Sequence, residues 1–175
     1  FKEKQKHFTN IIHQLLNDVF IPQLFPRTQF YRKYIENNHL QYIYKHIQKE
    51  TCGGDKEKKK LFIFDGRNYF YDGTNKMKFS LSYFESKPYL YENSVKIVVF
   101  HKRFKKQIME NVRKEDMKGE IKEDKNWIYI KSLDCLILFT YRFEEDDMLC
   151  IYLWLNNYGS ILKSKDRYNN FVISK

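Results

Sequence analysis

The chain of 175 residues has no alanine at all, and only six glycines, three prolines and three cysteines. So little Gly and Pro excludes collagen-like and low-complexity material, and argues against disorder. Cys52, Cys135 and Cys150 are odd in number and form no CxxC pair, so neither a disulfide framework nor a zinc knuckle is expected. An intracellular, reducing compartment, cytoplasm or nucleus, fits that pattern. No apolar run approaches the ~20 residues of a membrane span, so no membrane partner is expected. A phosphate loop, a dinucleotide fingerprint, a kinase signature and a nucleophile elbow are all missing. No cofactor and no enzyme active site are therefore expected within this stretch. The chain opens Phe1-Lys2-Glu3, without a methionine or an apolar signal core, and reads as a piece of something longer.

Charge and aromatic rings are abundant. Aromatics make up 18%, enough for a well-buried core, and 32 Lys and Arg against 22 Asp and Glu leave a net charge of +10. Such a balance suits a polyanionic partner, nucleic acid above all. The missing alanine, beside plentiful Lys, Asn, Ile, Phe and Tyr, is the mark of AT-rich coding. Part of the lysine excess is therefore compositional.

Along the chain, the apolar spacing between Lys6 and Pro26 fits a helix through Leu16 or two short strands. Tyr31, Tyr34, Ile35, Leu40, Ile43, Tyr44 and Ile47 recur at helical steps, which predicts one helix from about Arg32 to Gln48, stopped by Gly53-Gly54. Strand signals follow at Leu61–Phe64, Tyr69–Tyr71, Lys78–Phe84 and Ser94–Lys102, an antiparallel meander in which LFIFDGRNYFYDG forms a hairpin. Phe104, Ile108 and Val112 return to helical spacing. Residues 113–126 alternate charge and read as an exposed connection. Trp127–Phe143 is open between helix and strand, and Met148–Leu155, a short continuous apolar run, favours a strand. The expected organisation is an α+β domain over 1–112, the charged connection at 113–126, and a linker-like segment over 127–175 that shares the core. In that α+β fold an antiparallel sheet carries a helix on one face, followed by a mixed helical and strand segment.

Candidate chemistry is sparse. His39, His46 and Cys52 have a spacing that a metal ligand set would need, yet surface histidines explain them. Glu144-Glu145-Asp146-Asp147 has the hard oxygen donors a divalent cation takes, but four adjacent acids read as a solvated turn. No metal site is expected. Lys102, Arg103, Lys105 and Lys106 crowd the start of a helix, where the macrodipole disfavours cations, which points to an anionic partner. These four, with Arg67, are the candidate phosphate contacts. Phe64, Asp65 and Gly66 are given a structural role, with Asp65 and Gly66 at turn positions of positive φ.

The order of these pieces resembles the amino-terminal domain and first linker of Argonaute and Piwi proteins. The resemblance rests on His7-Phe8, Pro26-Arg27, the helix from Arg32, and Phe64-Asp65-Gly66-Arg67 with Tyr69 and Tyr71, followed by two more strands. Lys131-Ser132-Leu133-Asp134 is similar to a small motif that opens a later linker helix. It implies a non-catalytic domain of an RNA-silencing protein, lining a nucleic-acid channel and aiding small-RNA duplex unwinding. The implied partners are nucleic acid, RNA in particular, and the remaining domains of a longer parent chain or partner subunits. Two other readings suit a basic, aromatic chain: a single-stranded nucleic-acid module of the oligonucleotide-binding barrel type in a telomere or replication complex, and a protein-interaction module of a larger assembly.

Overall fold

The computed structural model describes residues 25–52, 58–71, 77–115, 120–142 and 145–165. The elements expected between residues 6 and 24 lie outside that set. Two helices open the described chain, α1 (Phe25–Asn37) and α2 (Gln41–Cys52), where the period predicted one. Asn37 and Asn38 are weak helix formers, and His39 turns left-handed at φ 56°, so the chain bends while Leu40 stays on the buried face.

Strand β1 (Lys60–Asp65) follows, then short helices α3 (Gly66–Phe70), α4 (Ser82–Glu85) and α5 (Pro88–Tyr91), and then β2 (Ser94–His101). A single 3-10 turn at Lys102–Phe104 leads into α6 (Lys105–Glu115). The remainder is β3 (Ile121–Asp124), β4 (Trp127–Ile130), β5 (Cys135–Thr140), α7 (Glu145–Asn156) and β6 (Ile161–Lys163). All six strands join one sheet in the order β3-β4-β5-β2-β1-β6.

The α+β expectation holds, with helices packed on a mixed sheet. An antiparallel meander is present as β3-β4-β5, but in place of the one expected between residues 61 and 102 the sheet pairs β1 with β2, β2 with β5 and β1 with β6 in parallel. The cause is the stretch between β1 and β2. Tyr69 and Phe70 belong to helix α3, so LFIFDGRNYFYDG is a strand turning into a helix, not a hairpin, and only the bridge from Tyr71 to Met77 retains antiparallel pairing. Lys78–Phe84 shows the expected alternation of burial at Phe79 and Leu81 but joins no strand, ending in α4. A crossover of this length lets β2 return beside β1 in the same direction.

Strand alternation sends the side chains to two cores. Leu61, Ile63, Val95, Ile97, Val99, Leu136 and Leu138 pack against α1, α2 and α7. Phe62, Phe64, Val98, Phe100, Ile137 and Phe139 pack against Phe70, Phe84, Tyr91, Ile108 and Val112. The near-continuous apolar strands are those of a sheet covered on both faces. Residues 127–143, open in the sequence, supply β4 and β5, and the turn at Lys131–Leu133 opens a strand and not a linker helix.

The expected strand at Met148–Leu155 is helix α7 instead. Its apolar residues face two ways, with Leu149, Cys150 and Leu153 against the sheet and Ile151, Tyr152 and Leu155 in a cluster of their own. A helix buried nearly all round shows no amphipathic period, so it reads as one apolar run.

Candidate metal centre

Parallel strands all point their carboxyl ends to one edge, and β1 is where the sheet changes its direction of growth. The crossover through α3–α5 adds β2 on one side of β1, while the crossover through α7 adds β6 on the other. In open sheets of this kind, ligands bind outside the carboxyl ends of the strands at such a switch point.

Asp65 is the last residue of β1 and follows Leu61 and Ile63 in the alternation, which aims it at the α7 face. Across from it begins α7, with Asp146 and Asp147 in its first turn. Oxygens of Asp65, Asp146 and Asp147 all lie within 4.8 Å of one another, and all three side chains are buried. The acids at 144–147 were expected to be a solvated turn; Asp146 and Asp147 are buried instead, because α7 packs along β1 and β2.

Each carboxylate is held differently. Asp65 Oδ2 accepts from Asn68 Nδ2 at 2.7 Å and from Ser164 Oγ at 3.1 Å. Ser164 follows β6, whose Lys163 pairs with Phe64, so the strand register itself carries Ser164 to Asp65. Asp146 is only 3% exposed, and its Oδ2 has no hydrogen-bond partner among the described residues. Burial pushes the Asp146 carboxyl above the usual carboxylate range and the charge of Asp65 adds to the push, while Arg67 opposes it. The buried thiol of Cys150, one turn along α7, reports the same field. Burial raises it, and then Asp65, Asp146 and Asp147 raise it further.

This arrangement has the chemistry of a cation site. Three hard carboxylate oxygens suit Mg²⁺, Mn²⁺ or Ca²⁺, and ligands ~2.0–2.5 Å from one ion are at most about 5 Å apart. Crowded carboxylates in a buried place are costly unless something positive joins them.

Gly66 has its own reason to be glycine. A Cβ there would come within 2.4 Å of the Phe100 ring. The turn expected at Asp65-Gly66 with positive φ is absent: Asp65 is extended at φ −77° and Gly66 begins α3, so close approach and not left-handed backbone selects the glycine. Phe64 is fully buried among Tyr69, Phe70, Phe84 and Tyr91.

The basic candidates gather at the same edge. Arg67, half-buried in α3, is close enough to Asp146 to offset its charge. Lys102 and Arg103 follow the carboxyl end of β2, with Lys102 Nζ 5.1 Å from the centre of the Tyr141 ring and Arg103 stacked over Phe104 at 4.5 Å. The Arg103 backbone N–H donates to His101 Nδ1 at 3.2 Å, shaping the turn. Lys105 donates to the carbonyl of Lys125, and Lys106 is exposed. His39, between α1 and α2, and His46, on α2, are both exposed, and neither belongs to the acid cluster.

Asp146 and Asp147 are what sequence reasoning missed. The available signal was an aspartate ending an apolar strand and an acidic pair preceding a later apolar run. Reading that run as a strand hid the signal. No family model, no curated protein and no solved structure matches the chain. Among the described residues, no helix is long and apolar enough to cross a membrane.

Proposed function

We propose that the chain is a divalent-cation-dependent phosphodiesterase acting on nucleic acid. The observation that carries this reading is the convergence of three buried carboxylates, Asp65, Asp146 and Asp147, on the edge of the sheet where Lys102 and Arg103 also stand. The reading departs from the expected non-catalytic domain without a metal, and that juxtaposition is the reason. A cation held there supplies Lewis-acid polarisation of a phosphoryl oxygen and an activated water.

The chain's own residues have separable parts. Asp146 and Asp147 are presented rigidly by the first turn of α7, and Asp65 is oriented by Asn68 and Ser164. Arg67, Lys102 and Arg103 supply positive charge for phosphates to either side of the scissile one. The net reaction is hydrolysis. The oxygen of one water bonds to phosphorus, one P–O ester bond breaks, and a proton of that water ends on the departing sugar oxygen.

The test is incubation of the chain with labelled RNA and DNA oligonucleotides in Mn²⁺ or Mg²⁺, against EDTA and against Asp146→Asn. Cleavage that needs the metal and is lost in the variant is expected. Intact oligonucleotide under every metal condition would sink the proposal.

A second reading keeps the channel-lining, RNA-silencing role that the Argonaute and Piwi resemblance implies, within a longer chain or complex in the cytoplasm or nucleus. The basic residues along the carboxyl edge favour it. It predicts salt-sensitive binding with no cleavage, so the same experiment separates the two.

A further inference from the structure

The carboxyl edge presents its groups in a row. Crossing the adjacent strands β1, β2 and β5 in order, one meets the carboxylate of Asp65, then Lys102, then Tyr141. With strands 4.7–4.9 Å apart, Tyr141 stands about 10 Å across the sheet from Asp65, and because Asp65 is level with Val99 and Leu138 it also stands three residues, about 10 Å, further along the strand direction, roughly 14 Å in all.

Tyr141 is an unusually fixed surface ring. It directly follows β5 and remains 39% exposed. Its backbone N–H donates to Glu145 Oε2 at 3.1 Å, which ties it to the turn that presents Asp146. Its hydroxyl donates to Asn126 Oδ1, and Asn126 Nδ2 is in turn held by Asn38 Oδ1 at 2.6 Å. The backbone at its base and the hydroxyl at its tip are therefore both held, and the Lys102 ammonium lies over the ring. A pinned aromatic loses little freedom when another flat group stacks on it, which is what makes tyrosine a good anchor.

We propose that Tyr141 and Lys102 form a nucleotide subsite for single-stranded nucleic acid, in which a base stacks on the phenol and Lys102 takes the adjoining phosphate. This inference rests on the phosphodiesterase reading, and it adds the register. A base parked on Tyr141 sets which phosphate, a short stretch further along the edge, reaches Asp65, Asp146 and Asp147. Bases in a duplex are stacked on one another and offer no free face, so the subsite selects unpaired strands.

The experiment measures binding in EDTA, where nothing is cleaved, by anisotropy of labelled single-stranded RNA, single-stranded DNA and a duplex of the same sequence. Tyr141→Ala is expected to weaken single-strand binding about tenfold or more, with duplex binding unchanged. Tyr141→Phe, which keeps the ring, stays within about twofold of the parent. The ribo and deoxy arms show which sugar the subsite accepts. Three results overturn the proposal: single-strand affinity unchanged in Tyr141→Ala, an equal loss for single strand and duplex, or no single-strand binding by the unaltered chain at low salt. A parent that binds through Tyr141 yet cleaves nothing in Mn²⁺ keeps the subsite and removes the hydrolysis. A parent that cleaves at the same positions as Tyr141→Ala does the reverse.

Discussion

At the amino edge of the sheet, Asp134 accepts from Lys59 Nζ at 3.1 Å and from Tyr129 at 3.0 Å, and Lys59 also reaches Glu50 at 3.4 Å. Lys96, only 4% exposed, donates to the carbonyls of Ser94 and Leu133, and burial lowers its pKa. At the carboxyl edge, Asp65, Asp146 and Asp147 are buried together, with Asp146 Oδ2 left without a donor among the described residues. One edge thus pairs a part-exposed lysine with two acids and seats one buried lysine on backbone carbonyls, while the other gathers three buried carboxylates beside Arg67. The end where three carboxylate oxygens converge is where an external cation would find its donors.

The largest effect expected from breaking this contrast is on cleavage. Asp146→Ala should lower the rate at least about a thousandfold in Mn²⁺ while oligonucleotide binding in EDTA stays near that of the parent. Retained cleavage would remove the carboxyl edge from the chemistry. Reversing Lys102, Arg103, Lys105 and Lys106 together should weaken binding about a hundredfold at low salt and flatten its dependence on salt concentration. Lys105, already bonded to Lys125, should contribute least of the four when reversed singly.

The amino edge should answer in stability alone. Asp134→Ala removes the acceptor shared by Lys59 and Tyr129 and places alanine at φ 45°, and is expected to cost about 2 kcal/mol in urea unfolding. Its cleavage rate should match the parent. The smallest effect has the opposite sign. Asp146→Asn removes one of the crowded charges and should stabilise the metal-free chain at neutral pH by about 1 kcal/mol, roughly 2–4 °C.

The pH dependence sharpens that last expectation. The folded-state pKa of Asp146 is raised, so the native chain holds a proton that the unfolded chain releases near its ordinary value of about 3.9. Stability from this group is present below that value and is lost as pH rises through the raised one. In EDTA the melting midpoint of the parent should therefore fall over that interval relative to Asp146→Asn. Mn²⁺ should lift the midpoint more at pH 7.5 than at pH 5.

Strands β1 and β2 and helix α6 were legible in the sequence, β1 as a continuous apolar run, β2 from the alternation of Val95, Ile97 and Val99, and α6 from the helical spacing of Phe104, Ile108 and Val112. The first helical region was legible as helix but not as two pieces, since the break depends on His39 adopting a left-handed turn. Helix α7 was illegible for the reason that makes it central: it is buried on several sides, so its period is masked. The basic residues were found from charge alone, and the structure sets Lys102 and Arg103 on the edge that the acids occupy. The acids were dismissed because side chains adjacent in sequence cannot all converge. What brings Asp65 to Asp146 and Asp147 is a contact across some eighty residues, which no local pattern encodes.

Strand β6 is three residues long and pairs with β1 alone, yet the chain leaving it delivers Ser164 to Asp65. The shortest parallel strand therefore acts as a latch on Asp65. Fraying of β6 undoes that hydrogen bond and loosens Asp65 long before the sheet as a whole opens. Slow amide exchange along Leu162 and Lys163 thus becomes a gauge of how ready the edge is to hold its cation, readable without any substrate.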